Sequence, residues 1–499
     1  MLNRIPKLTL PAVAILIFGM VGALRSNLAD PDYFWHLRAG QWVFENKKFP
    51  VNDPFLWSQA NTPWLHHGWL SDVGMYWVLS IGGSGAISAV IGLLFAATLS
   101  VMYWCARQYA PTVIALALVL VGAAVILPWA GPRPQSVTYF FIAFFLAVLL
   151  RFKDQGQTKL LWVLPGLIIP WANLHGGYIM GIVLIGMLAG LIILESLWES
   201  PSLWLATLKK TRPLWICMLL AIAAACFNPY KLDLLIHPFK ALSQWIVPFI
   251  GEWHPPHFGT LEASSFYALL ALWILMQIYR AKRPTLFELG MPLVFVSMGL
   301  AHARHVPLAG VVLTAFNARV VMEVWPEVLD ALKRKFARAS IPSRASQDIG
   351  PVQYVFNWAL VITGLVTTVL LMPNKVDGQL KAWNEIIGYT AVEHLAKYPA
   401  PGPILNEYGF GGYLTWRLWP EQKAFIDGRS DMFSDQFAKD YFAIVNGKPD
   451  WEKKFDLHQF NTVVIGKVHP LRQLLLLKGE FSETFSDDKL TVLVRKNTK

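Results

Sequence analysis

The sequence predicts a mainly α, polytopic membrane protein of about eleven transmembrane helices followed by a C-terminal soluble α/β domain. Three observations predict this. Of the 499 residues, 55% are hydrophobic and 15% are charged, against roughly 25% charged in soluble globular chains. The apolar residues fall in runs near the length of a bilayer crossing, about 17–25 residues. Beyond residue 374 those runs stop, and short strand-like and helix-like segments alternate.

The runs lie at 8–24, 85–105, 112–130, 134–151, 158–172, 175–197, 213–227, 264–280, 286–302, 305–321 and 353–373. Those at 158–172 and 213–227 are short and would have to thin the bilayer or extend into their flanks. The first run follows Arg4 and Lys7 and lacks a small-residue cleavage site, so it reads as an uncleaved anchor. The four strongest basic clusters contain Arg151/Lys153/Lys159, Lys209/Lys210/Arg212, Arg280/Lys282/Arg283 and Lys333/Arg334/Lys335/Arg338. All fall on the cytoplasmic side if the N-terminus is cytoplasmic and the runs alternate. Segment 67–82 is apolar but carries Asp72 with Trp69, Tyr76 and Trp77. Counting it as a span would reverse every later loop, so it reads as an interfacial helix.

This topology makes 1–373 the membrane domain, with an outer loop over 25–84, and 374–499 an extracytoplasmic domain. It gathers 25–66, Gly131–Gln135, Trp171–Gly177, Asn228–Glu262 and Ala301–His305 on the outer face and leaves basic connectors on the other. The net charge of +11 is thereby explained by orientation in the bilayer, not by nucleic acid. The 22 Trp suit the two lipid–water interfaces. Cys105, Cys217 and Cys226 all lie inside apolar runs, so no external disulfide is expected.

The C-terminal domain reads as a small α/β layer. Strands are expected at Ile404–Asn406, Lys423–Ile426, Thr462–Ile465 and 490–495, with helices from Gly409–Gly412 to Leu418, over Ser434–Val445 and over 470–478. Nucleotide-binding glycine motifs are absent from the sequence.

Candidate chemistry collects in the outer segments. Asp30 and Asp32 follow the first span, with His36 one helical turn further on. Two carboxylates and an imidazole could supply a general base or hold a divalent metal ion. Equally, one aspartate could cap the helix that starts there. Arg133, Asn173, His175, Arg304 and His305 place polar groups at span ends, where single residues often serve as interface anchors. Together on one face, such cations would suit a phosphate-bearing lipid. Glu252, His254 and His257 form a further polar patch. His66 and His67 are adjacent, so they point different ways and are not expected to share a metal; neither is given a role.

The layout resembles the GT-C glycosyltransferases of bacterial membranes, among them protein O-mannosyltransferases and lipid A aminoarabinose transferases. Those proteins carry their catalytic aspartate in the first outer loop, just after the first span, where Asp30 and Asp32 stand, and interfacial helices in that loop are typical of them, as expected here for 67–82. More closely, the chain is similar to a poorly characterised bacterial GT-C-like group. The matching residues are Asp30, Asp32, Trp35, His36, Leu37, Gly40 and Trp42, then Trp171, Asn173, His175, Gly176 and Gly177. Glu252, Trp253, Arg304 and His305 follow, and then Gly411, Gly412, Tyr413, Leu414 and the Phe425-Ile426-Asp427-Gly428-Arg429 run. Many better-known members have Asp-Glu where this chain has Asp30-Pro31-Asp32. Which aspartate corresponds to the base is therefore open, with Asp32 favoured because it precedes the Trp-His-Leu helix.

The resemblance implies transfer of a sugar from a polyprenyl-phosphate donor to a glycan, lipid or protein acceptor outside the bacterial inner membrane. Asp32 and Asp30 would be catalytic, and His36, Arg133, Asn173, His175, Glu252, His254, Arg304 and His305 would bind substrate. The alternative is a non-catalytic scaffold whose outer domain binds a partner, with Asp427-Gly428-Arg429 a strand-end ion pair. A transporter is disfavoured, because no internal repeat or paired interrupted helices are seen.

Overall fold

The computed structural model describes residues 8–335, apart from 27, 29 and 243, and residues 351–496. Arg4, Lys7 and Arg338 lie outside the described residues. In chain order the first part comprises α1 (Leu10–Arg25), α2 (Pro31–Asn46), α3 (Trp69–Ala106), α4 (Thr112–Ile126), α5 (Ser136–Gln155), α6 (Val163–Leu174) and α7 (Tyr178–Glu199). It continues through α8 (Trp204–Ala225), α9 (Asp233–Leu242), α10 (Leu261–Tyr279), α11 (Leu286–Ala301), α12 (Val306–Lys335) and α13 (Pro351–Ala382).

Among the described residues, seven helical segments are long and apolar enough to cross a membrane, and shorter apolar helices cover Leu10–Arg25, Leu160–Leu174 and Leu286–Ala301. α8 carries Lys209, Lys210 and Arg212 before its apolar half. Every apolar run in the sequence is thus matched by a helix, and the chain is a multi-pass membrane protein. α3 is 38 residues long, but Gly83 (φ 63°, ψ −168°) interrupts its helical backbone. The aromatic segment before Gly83 is therefore a separate arm from the apolar span after it. In Ala303–Val324, 83% of the apolar window is buried, against 22% in Val352–Met372. α12 is accordingly the centre of the bundle, packed on α4, α10 and α11, while α13 leans on α1 at its edge and turns Val355, Phe356, Ile362 and Leu370 outward. Such a face is stable only in an apolar solvent.

One end of the bundle is tied by charge. Glu288 completes a capping box with Thr285 at the start of α11. It also accepts from Arg280 at 3.0 Å and Arg319 at 3.3 Å. Arg280 is buried and reaches Glu323 at 2.8 Å; Arg319 pairs with Asp154. The sequence suggests plain basic connectors here. Arg280 instead joins α10, α11 and α12, because a buried guanidinium needs acids on several sides.

The second part comprises α14 (Asn384–Ile387), α15 (Tyr389–Lys397), α16 (Gly411–Leu418), α17 (Asp435–Val445), α18 (Trp451–Leu457) and α19 (Pro470–Lys478), with strands β1 (Ile404–Asn406), β2 (Thr462–Gly466), β3 (Phe481–Ser486) and β4 (Leu490–Arg495). The sheet order is β1-β2-β4-β3, with β1 parallel to β2 and the other pairs antiparallel. The expected α/β layer is present. α14, α15, α18 and β3 are additions, and Lys423–Ile426 is not a strand of the sheet. Its Ala424 forms an isolated parallel bridge with Leu56, so its backbone partner is the loop after α2.

That loop is the joint between the two parts. Trp57 Nε1 donates to the Ile404 carbonyl at 2.9 Å, and Trp419 Nε1 to that of Pro54 at 2.9 Å. Arg429 is buried, with Asp427 at 2.7 Å and Asp53 at 2.6 Å. Its guanidinium lies 4.7 Å from the Trp64 ring centroid and 5.7 Å from that of Trp35. Arg429→Met leaves two buried carboxylates without a counter-charge. It should lower stability by about 3–5 kcal/mol, read as Tm in detergent and as protease sensitivity of the joint. Arg417→Met, which breaks a more exposed pair with Glu393, should stay within about 1 kcal/mol of wild type.

Candidate functional site

The helix start after the first span sets the geometry. Pro31 has the fixed φ suited to a first helical turn. Asp30 caps α2, its side chain accepting from the Asp32 backbone N–H at 2.9 Å. With Asp30 so occupied, Asp32 projects from the first turn. Its Oδ1 accepts from Trp35 Nε1 at 3.1 Å and its Oδ2 from Arg133 at 2.6 Å.

Arg133 stands between two prolines ahead of α5 and gathers three acids. Besides Asp32, it lies 3.7 Å from Asp30 and 2.9 Å from Glu252. Glu252 in turn takes Arg304 at 3.1 Å, and Arg304 stacks over Trp253 at 4.3 Å. Loops before α2, α5, α10 and α12 thus meet in one acid–guanidinium chain at the end of the bundle that carries the C-terminal domain. Burial raises Asp30 above the usual aspartate range, against the pull of Arg133. Burial acts the same way on Glu252, but Arg133 and Arg304 outweigh it and hold that carboxyl below its usual value. Arg133 stays charged because its three acids exceed the cost of its burial. The carboxylates that could hold a divalent ion close on this guanidinium.

The remaining candidates divide. His175 lies nearby, bonded to Thr138 at 2.8 Å, and burial keeps its imidazole well below the ordinary value. His305 packs edge-on against Trp253. Asn173 is buried and spent on Trp69 and on the Phe227 and Ile169 carbonyls. His254 turns to the Pro248 carbonyl at 2.8 Å and is exposed. His36 faces away from Asp32, onto Asp72 at 2.7 Å.

Further neighbours complete the surroundings of the site. Asp72 is fully buried between His36 and His66, the latter at 2.5 Å. The adjacent histidines do point different ways: His66 to Asp72, and His67 towards His237 and Asp431. Tyr408 donates to the Gly428 carbonyl at 3.3 Å. Burial, then the charges of Asp32, Asp427 and Asp431, raise its phenol well above the usual range. Gly428 packs against the same carboxylate: a β-carbon there would stand 1.8 Å from Asp32 Oδ1. At Gly412 it would stand 2.1 Å from the Pro31 carbonyl. The Gly-Gly and Asp-Gly-Arg runs are what let the second part seat on the first turn of α2.

The overall fold has solved counterparts. The oligosaccharyltransferase AglB of Archaeoglobus fulgidus, solved with an inhibitory peptide and a dolichol-phosphate, matches with TM-score 0.53 at 12% identity, over 91% of this chain and 69% of that one. The A. fulgidus oligosaccharyltransferase tethered to an acceptor peptide with the NVT sequon matches with TM-score 0.54 at 12% identity, over 91% and 68%. ArnT of Cupriavidus metallidurans, bound to undecaprenyl phosphate, aligns over 98% of both chains at 14% identity with a TM-score of 0.47. No family model and no curated protein matches the sequence. The chain has the GT-C fold.

Gly428→Ala should displace the Asp32 carboxylate and cost about 1–3 kcal/mol through overpacking. In an Asp32→Ala background the same change should cost measurably less, with a coupling of about 0.5–3 kcal/mol in a double-mutant cycle of Tm values. Additive costs would place the clash elsewhere.

Proposed function

We propose that the chain is a membrane glycosyltransferase moving a sugar from a polyprenyl-phosphate donor to an acceptor on the extracytoplasmic face of the bacterial inner membrane. The observation that carries this reading is that Arg133 binds Asp32 and is linked through Glu252 to Arg304 at one end of an apolar bundle of the GT-C fold. An apolar bundle accommodates an isoprenoid chain, and guanidinium groups at its end suit a phosphate. AglB, which shares the fold, was solved with a dolichol-phosphate. Arg304 is bonded to Glu252 through one terminal nitrogen, which leaves further N–H groups for phosphate oxygens.

Asp32 then serves as the base, since Asp30 is engaged in capping α2. It takes the proton of an acceptor hydroxyl as that oxygen bonds to the anomeric carbon. The bond from that carbon to the phosphate oxygen breaks, and the phosphate leaves with the electron pair. Arg133 and Arg304 offset its charge. Attack opposite the leaving group inverts the anomeric centre. The orientation follows the basic clusters, with the N-terminus cytoplasmic and the C-terminal domain outside.

A scaffold reading draws on one observation: Arg133 has all three of its nitrogens near carboxylates, so the cluster is partly self-neutralised before any ligand binds. In nanodiscs supplied with polyprenyl-phosphate sugars, Asp32→Asn should lower transfer by about 10²–10⁴-fold with Tm and binding of polyprenyl phosphate retained. Arg304→Gln should weaken that binding. Unchanged transfer by Asp32→Asn removes the base assignment. Failure of the wild type to bind polyprenyl phosphate favours the scaffold.

A further inference from the structure

We propose that His67, His237 and Asp431 form a binding site for one divalent transition-metal ion, Zn²⁺ by ligand type, where the loop before α3, helix α9 and the C-terminal domain meet. One ligand atom from each side chain lies within 4.8 Å of the others, the one such group of three among the described residues. His237 Nε2 and Asp431 Oδ2 are 2.9 Å apart, and the rings of His67 and His237 are 4.8 Å apart between centroids. Zinc binds imidazole nitrogen and carboxylate oxygen at about 2.0–2.2 Å in tetrahedral array, which spaces ligand atoms about 3.3 Å apart. No gap therefore has to close by more than about 1.5 Å, within reach of side-chain rotation.

The donor set selects the metal class. Two imidazoles with one carboxylate suit zinc and its neighbours, whereas magnesium and calcium prefer all-oxygen shells. His66 cannot join, because Asp72 holds it. Three protein ligands leave one position for water.

The consequence is a staple between segments far apart in sequence. Asp431 lies one turn beyond Gly428, which touches Asp32, and α9 opens the loop that carries Glu252. A metal here would fix that loop and the C-terminal domain relative to Asp32, through residues the transfer mechanism does not use.

The test is metal content of the full-length protein. Protein stripped with chelator, then equilibrated with Zn²⁺ and desalted, should hold one zinc per chain by mass spectrometry and show a raised Tm. Co²⁺ in its place should give the visible absorption of a tetrahedral site. His67→Gln and Asp431→Asn should each weaken zinc binding by at least about tenfold; His237→Gln supplies a third variant should either fail to fold. His254→Gln, at an exposed histidine, should keep full stoichiometry. No bound zinc in the wild type, or equal zinc in wild type and every folded variant, overturns the site.

Discussion

Arg429 is buried among Trp35, Phe55 and Trp64, where its charge would be prohibitive without Asp427 on one side and Asp53 on the other. Asp427 belongs to its own turn, but Asp53 comes from the loop after α2. The charge therefore cannot be satisfied within the C-terminal domain alone. Docking of that domain on the loop is built into its own electrostatics. Once Arg429 is seated, Gly428 must lie against Asp32 and Gly412 against Pro31. The first turn of α2 is then held from above by backbone.

The same logic runs through the opposite end, where Glu288 holds Arg280 and Arg319. At each end a guanidinium draws acids from several helices. Between the ends the contacts are apolar, and the lipid-facing side of α13 needs no partner in protein. Polar constraint at the two ends and apolar packing between them let an uncomplicated bundle present a specific constellation at one end. Arg133 is the centre of that constellation, since it binds acids from two separate loops.

The candidate site differs from an open acidic centre in having its cation supplied by the chain. Asp30 spends its carboxylate on the α2 cap, which separates its role from that of Asp32 although they are two residues apart. His36 is similarly diverted, joining His66 in hydrogen bonds to Asp72. Those bonds matter because the arm of α3 that carries Asp72 packs directly against α2, and an unpaired carboxylate there would be untenable.

The bundle was legible in the sequence because bilayer crossing imposes length and hydrophobicity on each helix separately, so every run reports its own helix. β1, β2, β4 and α17 were legible for a related reason: each shows its own periodicity or cap. Asp30, Asp32, Arg133, Glu252 and Arg304 could be nominated as polar groups at helix ends. Their convergence in one acid–guanidinium chain, the diversion of His36, Asn173 and His254 into other hydrogen bonds, and the meeting of His67 with His237 and Asp431 could not. Neither could the loss of Lys423–Ile426 from the sheet, because its partner Leu56 lies hundreds of residues earlier in the chain. A local segment encodes its own backbone preference and hydrophobicity. Which side chains share a pocket is decided only when packing closes distances that the sequence leaves open.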